Sequence, residues 1–151
     1  MSLPGFRASC LIIAGLYVVI AGSLLLRGPV LAMADYAVPA DTLASPHYAD
    51  AMFWVFLHML VIGLMIGVIG WFAEGARLQR AFARLMLAAI LVYTSLDVRA
   101  ADWALGSALY EGSGSLAPVV VDALALALWL RLNLVRARAA APAAVAARDA
   151  P

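Results

Sequence analysis

The run from Ala51 to Phe72 carries no Asp, Glu, Lys or Arg. As a helix rising about 1.5 Å per residue it matches the hydrocarbon thickness of a bilayer, and few soluble architectures can hide so long an uncharged stretch. The rest of the chain agrees in kind: it is 66% hydrophobic with a mean hydropathy of +0.99, where a soluble domain is nearer half apolar. The run therefore dictates a membrane protein, and the remaining segments have to be read as its neighbours.

Ala8 to Leu26 is a second apolar run, bracketed by Arg7 and Arg27. A basic residue ahead of it and the A-x-A-like Ala32-Met33-Ala34 behind it resemble a signal peptide. The run is longer than an h-region, however, and Arg27 lies between it and that site, so a retained spanning helix is expected. Two more helices are expected over about 82–102 and 116–135, with the first two over about 8–26 and 51–72. Gly28 to Asp50 reads as an acidic outer loop, broken by Pro29, Pro39 and Pro46, with Tyr36, His47 and Tyr48 suited to an interface. Glu74, Arg77, Arg80 and Arg84 read as a charged hairpin loop, Leu105 to Ser115 as a glycine-containing loop, and 137–151 as a disordered Ala/Arg/Pro tail after a membrane domain over 1–136.

Arginine placement orients the chain. Arg7, the Arg77/Arg80/Arg84 group and Arg131, Arg136, Arg138 and Arg148 alternate with segments holding Asp35, Asp41, Asp50 and Glu111, where Arg27 is the one basic residue. The positive-inside rule puts the arginine-bearing segments and both termini in the cytoplasm. The expected fold class is all-α: a four-helix transmembrane bundle, N-in/C-in, in a bacterial inner membrane. A net charge of +1 offers no surface for nucleic acid, and the single Cys10 excludes an internal disulfide, a CxxC pair and a cysteine zinc cluster.

Ionisable groups inside such helices are costly and are usually buried, paired or functional. By helical rise, His58 lies roughly 10 Å in from the outer side, Asp122 about 9 Å and Asp97 about 7 Å. Three helices thus place titratable groups at one level. On the third helix Tyr93, Thr94 and Asp97 share a face, while Arg99 and Asp102, spaced i,i+3, can form an ion pair at the outer rim. Asp97, Asp122, His58 and Tyr93 are the candidate proton or ion site, because two carboxylates brought together share a proton that an imidazole can also take. The same groups are a minimal hard-metal ligand set, and the plain alternative is a polar layer that locks helices in register. A metal or other cofactor at this cluster is a further reading, and the residues do not name which.

Gly63, Gly67 and Gly70 form a GxxxG-type face for close helix approach, and Gly15 and Gly22 share a face on the first helix. His58 lies nearly opposite the first glycine face, on a stripe with Trp54, Ile62 and Met65. Trp54, Trp71, Trp103 and Trp129 fall near expected helix ends and read as an aromatic belt. Met52, Met59, Met65 and Met86 read as packing, and His47 with Asp50 as an ordinary exposed pair. No Gly-rich phosphate loop, HExxH or GxSxG occurs.

The acid-x-Arg-x-x-Asp element of Asp97, Arg99 and Asp102, following the Ala51–Phe72 helix, resembles the small bacterial inner-membrane proteins grouped as BphX-like, and more distantly the DoxX-like four-helix proteins. The resemblance spans about residues 8 to 135. Asp97 and Ala100 stand where the family pattern has Glu and Gly. It implies a topology and carries no activity. Three functions are then in play. The first is a non-enzymatic accessory or assembly subunit of a membrane complex, associating with itself or a membrane partner through the Gly63–Gly67–Gly70 face. The second is a small proton-linked transporter or channel subunit using the Asp/His cluster. The third is a quinone- or metal-handling redox accessory.

Overall fold

A computed structural model of the chain describes residues 2–36, 38–102 and 116–135; the side chains of 97–102 and of residue 117 fall outside that description, as does the 137–151 tail. The chain is all-α. The helices are α1 (Phe6–Arg27), α2 (Pro29–Met33), α3 (Ala40–Leu43), α4 (Pro46–Phe72), α5 (Ala76–Asp102) and α6 (Leu116–Leu134). Of these, α1 and α4 are long and apolar enough to cross a membrane. The other two long helices carry charge: α5 opens with Arg77, Arg80 and Arg84, and α6 holds Asp122 and Arg131.

Two boundaries differ from the sequence expectation, both for local reasons. Pro46 begins α4 at its first turn, where a missing N–H costs nothing, so the helix starts ahead of Ala51. Pro29 does the same for α2, and Pro39 precedes α3, so the segment between α1 and α4 holds two short helices rather than plain loop. On the other side, Gly75 at φ 83° turns the chain within a few residues, and α5 starts at Ala76. The three arginines assigned to a hairpin loop are therefore helical, on the first turns of α5.

The long helices associate as two pairs, α1 along α4 and α5 along α6, and α1 also meets α6. The first pair closes on the glycines. A Cβ at Gly63 would stand 2.7 Å from Tyr17 Cβ, one at Gly67 would stand 3.3 Å from Ala14 Cβ, and one at Gly70 would collide with Cys10 Cβ. Cys10, Ala14 and Tyr17 recur at i, i+4, i+7 and so form one stripe of α1. The Gly63–Gly67–Gly70 face is thus packed within the chain, against α1. The structure corrects α1's own contact face, since a side chain at Gly15 or Gly22 would meet nothing within 4 Å.

The pairs join at one end through aromatics. Phe6 of α1 meets Phe82 of α5 edge-on (centroids 6.1 Å), and Phe82 meets Trp129 of α6 likewise (5.8 Å). Trp129 is 1% exposed and is a core anchor, not a belt residue. Gln79, buried at the same end, accepts from Leu3 N at 2.7 Å and donates to Ala73 O at 2.9 Å, tying the N-terminal turn to the α4–α5 turn. Asn133 donates to Ala83 O at 3.0 Å and fastens α6 to α5. At the far end Ala32, Met33 and Phe56 form a small separate core beneath α2 and α3.

Candidate functional site

Between the two pairs lies a cavity of about 510 Å³. All four long helices line it: Ile13 and Tyr17 from α1, Trp54 and His58 from α4, Met86 and Tyr93 from α5, Asp122 and Trp129 from α6. Its size is that of a small-molecule pocket, and its walls are chiefly aliphatic and aromatic with a few polar groups.

Of the residues that sequence spacing nominated, His58, Tyr93 and Asp122 open on this one space. The fourth, Asp97, stands one turn beyond Tyr93 on α5, where its side chain is outside the described residues. The same is true of the side chains of Arg99 and Asp102, the expected rim pair.

The chain folds this way for reasons visible one helix at a time. On α4 the glycines turn toward α1, which leaves the opposite stripe, Trp54, His58 and Ile62, to face the seam; Met65 of that stripe is exposed and does not line the cavity. On α6, Asp122, Ala125 and Trp129 follow at i, i+3, i+7 and form one side of the helix.

His58 has its tautomer set locally. Its Nδ1 lies 2.6 Å from the carbonyl oxygen of Trp54, one turn earlier. A carbonyl only accepts, so Nδ1 carries the proton and donates, and Nε2 remains as the imidazole's acceptor. The ring is tilted against the Trp54 indole, with centroids 6.2 Å apart. Asp122 is half-buried and engaged.

Sequence reasoning missed Tyr17. This phenol of α1 lines the cavity, and together with Asp122 it also lines a smaller neighbouring space of about 120 Å³. The signal was present: a Tyr in the middle of an apolar run needs a partner for its hydroxyl. It went unnominated because no single-helix argument says that α1 and α6 meet. Beside Tyr93, the Thr94 hydroxyl is buried and makes no hydrogen bond. An orphaned hydroxyl of this kind costs about 1–3 kcal/mol.

Chemically, a carboxyl, an imidazole acceptor and two phenols can each hold or release a proton, and they open on a space whose other walls are mostly apolar. Among the described residues no group of three or more His, Cys, Asp or Glu side chains gathers as a metal site. His47 and Asp50, the exposed pair at the start of α4, stay at the surface. Comparison of the chain with protein-family models, curated proteins and solved structures finds no match, so the reading of this site rests on its residues.

Proposed function

We propose that the chain is a non-enzymatic, multi-pass protein of the bacterial inner membrane, a proton-handling subunit of a membrane complex or carrier. In this reading α1, α4, α5 and α6 all span, as a four-helix bundle with both termini cytoplasmic. The membrane assignment is supported by how little of the two most apolar helices the fold hides: 28% of the apolar window of α1 and 17% of that of α4. The core helix of a soluble protein would be mostly covered, and helices this apolar and this open need lipid around them. The charge layout supports the orientation. Arg7, Arg77, Arg80, Arg84 and Arg131 stand at the end where α1 begins and α6 ends, and Asp35, Asp41 and Asp50 stand at the other, with Arg27 paired to Asp35. The resemblance to BphX-like proteins is compatible with this topology and adds no activity.

One observation carries the proton assignment: His58, Tyr93 and Asp122, from three different helices, converge with Tyr17 on one apolar cavity. Structural polar residues need one partner each. A set that can pass a proton among its members needs several donors and acceptors opening on one space, which is what the seam provides. In such a relay Asp122 is the carboxyl that loads and unloads, His58 Nε2 the neighbouring acceptor, and the phenols the bridging donors.

The test is infrared difference spectroscopy across pH on the protein in nanodiscs, for wild type, Asp122→Asn, His58→Gln and Tyr93→Phe. A shared proton gives an Asp122 carboxyl band that moves in both His58→Gln and Tyr93→Phe. An Asp122 band indifferent to both variants ends the proton reading and leaves a packing and partner-binding subunit in its place.

A further inference from the structure

The basic end holds a second feature that the seam does not use. A groove of about 590 Å³ runs between the start of α1 and the end of α4, walled by Gly5, Arg7, Leu11, Gly70, Trp71 and Gln79 among others. The Arg7 guanidinium carbon lies 3.4 Å from the centre of the Trp71 ring. The indole covers one face of the guanidinium and fixes the side chain at the groove. The N–H groups of a guanidinium point outward in its plane, so stacking leaves them free to donate. Among the described residues the ion pair is Arg27–Asp35 at the opposite end, and Arg7 has no acidic partner. Leu11, a turn further along α1, extends the groove as an apolar wall and is 37% exposed.

We propose that this groove binds the head of an anionic phospholipid, with the phosphodiester on Arg7 and an acyl chain along Leu11. The proposal rests on the membrane reading above. A cation held at the level of the helix ends above an apolar channel has the polarity profile of a phospholipid, and an arginine fork matches a phosphodiester. The surroundings select an anionic lipid over a zwitterionic one. Arg77, Arg80, Arg84 and Arg131 stand at this end with Glu74 as the acid among the described residues, and that field repels a choline ammonium. Arg131 adds to it directly: its guanidinium lies against Gly5, where a Cβ would be 3.6 Å from Nη2.

The full chain, delipidated in detergent, is titrated with phosphatidylglycerol or phosphatidylcholine, and bound lipid is counted by native mass spectrometry. Phosphatidylglycerol is expected to bind preferentially. Arg7→Gln is expected to weaken it about fivefold, the effect of one arginine near a membrane surface. Trp71→Leu keeps the charge but removes its platform, and is expected to weaken binding as well. Arg84→Gln removes an equal charge of the same field but off the groove, and is expected to weaken binding less than Arg7→Gln does; thermal unfolding checks that each variant folds as the wild type does. Equal binding of the two lipids, equal loss in Arg7→Gln and Arg84→Gln, or displacement of phosphatidylglycerol by millimolar inorganic phosphate would each overturn the site. Release of the protein from membranes by alkaline carbonate would instead overturn the membrane reading; retention without lipid preference removes the site alone.

Discussion

The contact between α1 and α4 and the seam between the two helix pairs are both largely apolar, yet the first is closed and the second holds about 510 Å³ of space. Along α1–α4, Gly63, Gly67 and Gly70 meet Tyr17, Ala14 and Cys10, and the backbones approach until even a Cβ would not fit at two of the three positions. Across the seam the lining includes the large side chains of Trp54, Tyr93 and Trp129 with His58 and Asp122, and the helices do not close on one another there. The difference teaches that residue size, more than hydrophobicity, divides this molecule into scaffold and site. Without a hydrophobic force between helices in lipid, small residues are what let them close.

That contrast can be broken from the closed side first. Gly70→Val is expected to lose about 3 kcal/mol of stability, because the added carbon lands on Cys10 Cβ rather than on a flexible side-chain end. Gly22→Val on α1, which faces open space, is expected to change stability by about 0.5 kcal/mol or less. Thermal unfolding in detergent compares them, and similar losses would mean that the glycine face is not the closed contact. Next is Gln79→Leu, which strands the Leu3 N–H and the Ala73 carbonyl at the end where the pairs join. A loss of about 2 kcal/mol is expected, with faster proteolysis of the N-terminal turn as the independent readout.

From the open side the sign changes. Ala89 lines the seam cavity, so Ala89→Leu has space to enter and is expected to shift stability by less than about 1 kcal/mol in either direction. The same variant should weaken the coupling among His58, Tyr93 and Asp122 in the infrared experiment, since it fills the space they share. A strongly destabilised Ala89→Leu would show the seam to be as tight as the α1–α4 contact.

The smallest effect belongs to the cap over the far end. Burial, and then the neighbouring Asp35, push the Tyr36 phenol above its ordinary 10.0, with Arg27 opposing. A raised acid pKa means that the unfolded chain releases this proton first, so stability is full below about pH 10 and falls as pH rises beyond it. Tyr36→Phe is expected to flatten that alkaline decline in melting temperature while leaving neutral-pH stability nearly unchanged.

Much of this was legible in the residues. The uncharged Ala51–Phe72 run announces α4, and the glycine spacing names the face on which it packs. The polar residues of the seam are visible too, because helical rise alone puts His58 and Asp122 at similar depth. The misreadings share a cause. Arg77, Arg80 and Arg84 looked like a loop because charge usually marks a helix end in lipid, whereas an amphipathic first turn can carry them into water. Trp129 looked like a belt residue because it lies near the end of α6, and only its neighbours Phe82 and Phe6 show it to be core. Tyr17 went unnominated because its value depends on α6 lying beside α1.

The sequence by itself determined what each helix is: its span, its start at a proline or glycine, and which of its faces are small, aromatic or ionisable. Those properties follow from covalent chemistry and a repeat of 3.6 residues, and need no neighbour. The tertiary structure alone decided which faces meet. It set the glycine face inside the chain, against α1. It also brought His58, Tyr93, Asp122 and Tyr17 to one cavity, and laid Arg7 over Trp71 beside an open groove. Pairing is a competition among surfaces far apart in the chain, settled by how closely backbones can approach, and spacing within one helix carries no information about its outcome.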